Sequence, residues 1–150
     1  MHLKREPRRA ATTVELAMIA PAVFVILLGL IIGGMGVFRY QQLAHLTREA
    51  SRWAALHGAD YARATGQPAP TAADIYNQII LPNAGAMNPS RLSYSVLWNT
   101  SNDPYRTATV GGKVVRINNI VTVSITYQWI PEAYLGGITL GSSSSNPMAF

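Results

Sequence analysis

The chain has 150 residues, the size of one ordinary domain, which excludes a large enzyme with separate cofactor and substrate domains. Apolar residues make up 49% and charged residues 13%, about half the charged share usual in soluble proteins, so a membrane segment is expected. Most of the net charge of +5 lies in residues 1–10, and without a basic patch on a folded face this argues against a nucleic-acid interface.

Residues 16–38 form the first predicted element, a membrane-spanning helix. This stretch of 23 residues carries no charge and is dominated by aliphatic side chains. It is long enough to cross a bilayer as a helix, and longer than the apolar region of a cleavable signal peptide. We therefore expect it to remain in the protein as an anchor. Four basic residues lie close before it and three lie after it, which favours a cytoplasmic N-terminus and a C-terminal domain outside.

The helix is predicted to continue beyond the membrane. In residues 39–57 the uniform apolar pattern becomes amphipathic, with side chains such as Leu43 and Leu46 recurring at helical spacing between polar ones. Gly58 is a suitable C-cap. The sequence therefore predicts one long N-terminal helix over residues 11–58, whose second half covers the apolar face of whatever folds after it.

A loop and a second, short helix are predicted next. Residues 59–70 contain one glycine and two prolines, which indicates a linker. Thr71 and Asp74 have the spacing of a capping box, and the short helix that they begin is expected to end at Pro82.

The apolar periodicity then changes from helical spacing to two, which is typical of strands. Asn99 to Pro104 is rich in turn formers and predicts a chain reversal. The tail, residues 136–150, contains four consecutive serines, Ser142 to Ser145, and is expected to be flexible. Predicted strands cover residues 92–98, 105–110, 114–117 and 120–129, with 138–140 as an ordered part of the tail.

These elements predict an α+β fold. A long N-terminal helix, first transmembrane and then amphipathic, precedes a short helix and a small antiparallel sheet of three or four strands. The expected organisation is a basic leader over residues 1–10, the long helix over 11–58, and a small extracytoplasmic α/β domain over 59–150 with a flexible C-terminal tail.

Glu15 interrupts the apolar pattern at the start of the membrane segment. A carboxylate inside a transmembrane helix costs a few kcal/mol unless it is paired, which favours a functional role. The alternative is that Glu15 begins the helix at the membrane surface, where a negative charge suits the positive end of the helix dipole.

The residues around Glu15 resemble the processing region of type IV prepilins. Residues 8–21, Arg-Arg-Ala-Ala-Thr-Thr-Val-Glu-Leu-Ala-Met-Ile-Ala-Pro, are similar to the TadE-like family, minor pseudopilins of the tight-adherence pilus system. Residues 48–55, Arg-Glu-Ala-Ser-Arg-Trp-Ala-Ala, resemble that family's helix after the membrane. The resemblance implies a pilin-like fold and a role in pilus assembly rather than catalysis.

The resemblance also implies specific roles for individual residues. A membrane-bound prepilin peptidase would cut between Ala10 and Ala11, which makes Glu15 the fifth residue of the mature chain. Ala10 stands where these peptidases usually meet glycine. The carboxylate of Glu15 in one subunit would then pair with the free amine of Ala11 in its neighbour, and this pairing would neutralise both charges and set the axial register.

Three further positions in the membrane segment suggest helix packing or bending. Pro21 removes one backbone hydrogen bond, so it is either a hinge or a proline that a membrane helix simply tolerates. Gly29 and Gly33 have the small-xxx-small spacing that lets two helices approach closely.

The sequence offers no convergent set of catalytic or metal-binding residues. Cysteine is absent, which excludes a disulfide framework and a cysteine-type zinc site. His45 and His57 have no nearby pair of carboxylates, and Ser142 to Ser145 lack a nucleophile elbow. We therefore expect no enzyme activity, metal, cofactor, nucleic acid or small-molecule substrate.

The expected partners are the membrane, the prepilin peptidase and other pilin or pseudopilin subunits that contact the N-terminal helix. The expected location is the bacterial inner, or cytoplasmic, membrane as a single-pass protein, and the pilus that grows from it. Two alternatives remain open at this point. One is an unprocessed single-span anchor that presents an extracytoplasmic binding domain, and the other is a membrane-tethered hydrolase.

Overall fold

The computed structural model describes residues 8–131 and 136–149, with side chains from residue 12 onward. Residues 1–7 of the predicted leader lie outside the described part of the chain. The chain divides into two compact units, with the boundary between Val37 and Phe38. Helix α1, Arg8–Leu56, contributes residues to both units.

The first unit consists of the apolar half of helix α1. Its side chains are almost all exposed, although most are aliphatic or aromatic. The most apolar stretch of the helix has a mean hydropathy of 2.7 and none of it is buried. A helix satisfies all its interior backbone hydrogen bonds within itself, so such a segment suits a bilayer. The predicted long apolar helix is confirmed, and by length and composition it is able to cross a membrane.

The second unit begins with the amphipathic half of helix α1. Leu43, Leu46, Ala50 and Ala54 recur at three- and four-residue spacing and are all buried. Two polar side chains, Thr47 and Ser51, are buried in the same stripe. The predicted amphipathic pattern is therefore confirmed.

Helix α2, Ala59–Thr65, lies where the sequence predicted a linker, so that prediction is wrong for the first part of residues 59–70. Gly58 is its N-cap in extended conformation rather than the C-cap of helix α1. The helix ends at Gly66, whose φ of 70° is the left-handed conformation that glycine tolerates best. The prolines that suggested a linker follow this point, so they do not interrupt the helix.

The second predicted helix is present in three consecutive segments: α3 (Ala72–Ile75), a π-helical turn (Tyr76–Ile80) and α4 (Leu81–Asn83). The N–H of Leu81 donates to the carbonyl of Tyr76, five residues earlier. Pro82 has no N–H to donate, but the helical backbone continues through it to Asn83. The helix therefore ends at Asn83 rather than at Pro82.

The predicted capping box at the start of α3 is confirmed. The N–H of Asp74 donates to Oγ1 of Thr71 at 3.3 Å, and the N–H of Thr71 donates to Oδ2 of Asp74 at 2.8 Å. The hydroxyl of Thr71 also donates to the same carboxylate oxygen at 2.7 Å. These bonds satisfy backbone donors that a helix start otherwise leaves open.

Acid titration tests this capping box. Hydrogen bonds from the backbone N–H and the hydroxyl of Thr71 hold the pKa of Asp74 below its usual range. Because the folded-state pKa is the lower one, this stabilisation is present above about pH 4 and is lost as the pH falls through the folded-state value. We expect Asp74→Asn to remove this acid dependence, and Thr71→Ala to cost about 1 kcal/mol at neutral pH.

Circular dichroism of the full chain in detergent, during unfolding from neutral to acidic pH, measures both effects. An Asp74→Asn variant that keeps the acid dependence of the unmodified chain would contradict the assignment.

A 3-10 turn, Pro89–Arg91, leads into five strands. The strands β1, β4 and β5 form one antiparallel sheet in the order β1-β4-β5, and β2 pairs with β3 as a separate antiparallel ribbon. The antiparallel pairing is confirmed, while the predicted single sheet is divided into two. The strand bounds are β1 Leu92–Trp98, β2 Tyr105–Val110, β3 Lys113–Asn118, β4 Ile120–Trp129 and β5 Ile138–Pro147.

The central strand β4 supplies much of the sheet's contribution to the core. Alternate side chains along it are buried, whereas those between them face outward. On the neighbouring strand, Tyr94 stacks on Tyr76 of the π-helical turn, with ring centroids 4.5 Å apart. The buried residues of β4 are Val121, Val123, Ile125, Tyr127 and Trp129.

The serine run belongs to strand β5, which differs from the flexible tail that its composition predicted. Hydroxyl pairs join it to β4: Thr122 and Ser145 are 2.8 Å apart, and Ser124 and Ser143 are 2.9 Å apart. Hydroxyl pairs across strands stabilise a sheet. Serine has little strand preference of its own, so these long-range partners decide the conformation.

The other face of strand β5 contacts helix α1. Ser51 donates its hydroxyl hydrogen to Ser144 at 2.9 Å, and Asn146 donates to Ser51 at 2.8 Å. Beyond the strand, the N–H of Ala149 donates to the carbonyl of Ala55 at 3.0 Å. Within the second unit, the amphipathic half of helix α1 therefore lies against strand β5 and the residues that follow it.

Candidate functional site

The predicted processing and pairing residues lie in the first turns of helix α1. Ala10 and Ala11 are in its helical backbone, and Glu15 follows Ala11 by four residues, about 6 Å along the axis. The Glu15 side chain is exposed. Among the described side chains it makes no hydrogen bond or ion pair, which leaves its carboxylate available to another molecule.

The alternative dipole role for Glu15 receives little support from its position. The first turn of α1 contains no acidic residue, and Glu15 lies seven positions after Arg8, the first residue of the helix. The dipole effect falls off within the first turn. A helix that began at Ala11 would still place Glu15 beyond that turn.

Most of the predicted site residues fall on one face of the helix. At 100° per residue, Ala11, Gly29 and Gly33 lie within about 40° of Glu15 around the axis, and Ala22 and Ile26 lie on the same face. We call Ala11, Glu15, Ala22, Gly29 and Gly33 the small-residue face, on which Ile19 and Ile26 also lie. The opposite face carries Phe24, Leu28, Ile31 and Met35, together with Ala17 and Ala20.

The small-residue face is exposed along the apolar half of helix α1. A Cβ atom built on Gly29 or Gly33 would meet nothing within 4 Å. Pro21 is also exposed and lies inside the continuous helix, away from this face. The structure therefore places the two glycines and the carboxylate where one neighbouring helix could contact them, while Pro21 does not belong to that group.

His45 in helix α1 and His57 just after it both contact residues close to them in the chain. Nδ1 of His45 lies 3.8 Å from Oε2 of Glu49. His57 stacks on Trp53, with centroids 4.1 Å apart, and meets the ring of Tyr61 edge-on at 4.5 Å. Throughout the described side chains, no group of three histidine, aspartate or glutamate residues is arranged to hold a metal ion.

One surface cleft of about 240 Å³ gathers charged side chains from helix α2 and the β1–β2 turn. Arg63 forms ion pairs with Asp60 and with Asp103, and the hydrogen bond that it donates to Asp60 raises the pKa of Arg63 above the ordinary value. Arg116 lies 3.7 Å from the ring centroid of Tyr105. Arg63 and Arg116 therefore already have partners within the cleft, which Arg106 also lines.

A second groove, of about 350 Å³, lies along the aromatic stack. Its lining includes Trp53, His57 and Tyr61 together with Gln67 and Gln78. Asp74 also lines the groove, and its carboxylate already accepts hydrogen bonds from the N–H and the hydroxyl of Thr71.

Asn119 is an organising residue that the sequence analysis missed. Its side chain is 0% exposed, and its Nδ2 donates to the carbonyls of Ser101, at 2.6 Å, and Asp103, at 3.1 Å. Its Oδ1 accepts from the N–H of Ile120 at 3.0 Å. Nothing in the Asn118-Asn119 dipeptide indicates which of the two amides is buried.

Comparison with known protein families gives a match to the N-terminal part of the chain. The model of the TadE-like protein family matches residues 10–52, which include Ala10, Ala11, Glu15 and the buried stripe of helix α1. No curated protein and no solved structure matches the chain. The family is one of pilus components rather than enzymes, and the apolar helix is consistent with a membrane anchor in a pilus system. The resemblance predicted from the sequence is therefore confirmed over residues 10–52, and it supports a protein associated with the Tad pilus.

Proposed function

We propose that this chain is a minor pseudopilin, a non-enzymatic, membrane-anchored component of tight-adherence pilus assembly. In this proposal a prepilin peptidase cuts between Ala10 and Ala11. The observation that carries it is the placement of Glu15: an exposed carboxylate one turn after Ala11, with no partner among the described side chains, on the small-residue face. The family match covers both the cleavage site and the carboxylate.

Cleavage would create the partner that Glu15 lacks. The new N-terminus at Ala11 carries a free amine, which is positively charged at neutral pH. A carboxylate and an amine that meet in a low-dielectric environment neutralise one another, whereas either group left alone there is costly. Pairing between Glu15 of one subunit and Ala11 of the next therefore favours a single axial offset between the two helices.

The rest of the small-residue face would support the same contact. Gly29 and Gly33 leave space for a second backbone to approach, which is how helices associate in lipid. Pro21 removes one backbone hydrogen bond on another side of the helix and is proposed to allow local bending there.

The proposed orientation places the N-terminus in the cytoplasm and the second unit outside the inner membrane. Four basic residues precede the apolar segment at close range, and the positive-inside rule favours this arrangement. The partners in this proposal are the membrane, the prepilin peptidase and other pilin or pseudopilin subunits.

Two observations favour a second candidate, an unprocessed anchor that presents a binding domain. Ala10 occupies the position before the cut that glycine usually fills, and the groove beside Trp53, His57 and Tyr61 offers a surface for a partner. In that case the chain would keep its leader and the Glu15–Ala11 pair would not form.

The N-terminal sequence and intact mass of the protein from membranes with and without the matching peptidase distinguish the two candidates. We expect a chain that begins at Ala11 only when the peptidase is present. Ala10→Gly should increase the processed fraction, and Ala10→Leu should block processing. Ala20→Leu, the same change inside the span, is the matched control and should leave processing unchanged. A chain that begins at Met1 in both membranes would reject cleavage and favour the unprocessed anchor.

A further inference from the structure

Strand β5 lies at the edge of the three-stranded sheet, with β4 on one side and no strand on the other among the described residues. Its ten residues, Ile138–Pro147, pair with β4 on one side, and none of them is buried. The central strand β4, by contrast, alternates between buried and exposed residues. Helix α1 contacts one face of β5 through Ser51, but this contact leaves the strand's outer edge exposed.

The backbone of β5 has an open hydrogen-bonding edge. Within the described ranges, residues 138–147 make backbone hydrogen bonds only to β4, and bonds to other elements begin after the strand, at Met148 and Ala149. Alternate N–H and C=O groups of an edge strand point away from its partner. These outward groups of β5 are therefore a template for another strand.

The usual protection of a sheet edge is missing from β5. Natural edges commonly carry lysine or another charge, an interior proline, or a bulge that twists the strand away. β5 has no charged residue, and its one proline, Pro147, is its last residue. The pairing of β5 with β4 continues without a bulge from Pro147, which lies opposite Ile120, to Ile138, which lies opposite Trp129.

We propose that β5 is a self-association edge, which pairs antiparallel with β5 of a second copy and joins two three-stranded sheets into one of six strands. The contact is isologous, so it closes as a dimer with twofold symmetry. It is independent of the helix contacts proposed for pilus assembly, because it uses the second unit alone.

The chemistry of β5 favours a second copy of itself as the occupant. Two uncharged strands meet without electrostatic repulsion, and short serine and threonine side chains lose little rotamer freedom. Serine and threonine hydroxyls already pair across the β4–β5 ladder, at 2.8 Å between Thr122 and Ser145 and 2.9 Å between Ser124 and Ser143. A β5–β5 ladder would repeat this kind of contact.

The β1 edge of the same sheet is less suited to this role. Arg91 immediately precedes β1, and Tyr94 of that strand is already stacked on Tyr76. Pairing of β1 with β5 of another copy would also be heterologous and would grow into an open chain instead of closing.

The sheet provides a matched pair of substitutions for testing this edge. Ser143 on β5 and Ser95 on β1 are both exposed and both lie opposite Ser124, one on each side of it. Ser143→Lys places two like charges in the proposed dimer, one from each copy. We expect it to raise the dimer dissociation constant roughly tenfold. Ser95→Lys puts the same charge on the opposite edge and should leave dimerisation unchanged.

The measurement is analytical ultracentrifugation of the full chain in detergent over a range of concentrations, with circular dichroism to confirm that each variant is folded. An unmodified chain that is monomeric at all concentrations would overturn the proposal. Equal dissociation constants for the Ser143→Lys and Ser95→Lys variants would also overturn it. A dimer held together by helix α1 would show this result, because neither substitution would change its dissociation constant.

Disulfide cross-linking locates the contact independently of affinity. The chain has no cysteine, so a single introduced thiol reports only on its own surroundings. Cysteine is introduced singly at Thr139, Gly141, Ser143 and Ser145, all exposed positions on one face of β5, with Ser95→Cys as the control. Efficient cross-linking at one or two neighbouring β5 positions and not at Ser95 supports a defined antiparallel register. Uniform cross-linking at every position, or stronger cross-linking at Ser95, overturns it.

Discussion

Replacing Glu15 by glutamine is expected to reduce pilus assembly at least about tenfold while the second unit stays folded. Glutamine keeps the size of the side chain but removes its charge. In the proposed assembly this leaves the amine at Ala11 of the neighbouring subunit without a counter-charge in a low-dielectric environment, where an unpaired charge is costly. The measurement is the amount of assembled pilus recovered from cells that carry only the variant, relative to cells with the unmodified chain.

Glu49→Gln is the matched control because it makes the same change in the same helix. Glu49 is exposed and lies 3.8 Å from His45, a surface pair whose removal changes stability little. Cells that carry the Glu49→Gln variant should therefore assemble the normal amount of pilus. N-terminal sequencing of the Glu15→Gln protein separates an effect on cleavage from an effect on pairing. Normal assembly by the Glu15→Gln variant would reject the pairing role.

Asn119→Ala is expected to destabilise the second unit by about 2 to 4 kcal/mol. The side chain of Asn119 is fully buried and hydrogen bonds to the carbonyls of Ser101 and Asp103 and to the N–H of Ile120. Alanine would lose these three hydrogen bonds, each worth about 0.5 to 1.5 kcal/mol, and would leave a gap where the buried amide stood. Loss of this side chain also separates the β1–β2 turn from the start of strand β4.

Asn118→Ala tests whether burial, rather than the amide itself, causes this loss. Asn118 is the neighbouring residue, exposed at the end of strand β3, and its replacement should change stability by less than about 0.5 kcal/mol. Urea unfolding of the full chain in detergent, followed by tryptophan fluorescence, measures both variants. Equal unfolding midpoints for the two would contradict the assigned role of Asn119.

Local patterns in the sequence predicted the elements that depend on local physics. The uncharged stretch over residues 16–38 predicted the apolar helix, since length and hydropathy are properties of that segment alone. The capping box of Thr71 and Asp74 closes within four residues. The alternation over residues 120–129 predicted the bounds of strand β4, because one of its faces is buried and the other is not.

Elements that depend on distant partners were predicted poorly. Strand β5 has a polar sequence without an apolar face, and its conformation depends on β4 and on Ser51, which is more than ninety residues away in the chain. The separation of β2 and β3 from the main sheet is likewise a matter of strand pairing, which alternation within each strand does not specify.

The sequence by itself determined the long apolar helix, the positions of Ala10, Ala11 and Glu15, and the resemblance that the family match over residues 10–52 confirms. Helical spacing follows from sequence position alone, so the small-residue face could also be derived without coordinates. Only the tertiary structure decided that Asn119 is buried and that β5 forms an exposed edge. Burial and strand order arise from contacts between segments far apart in the chain, which no local pattern encodes.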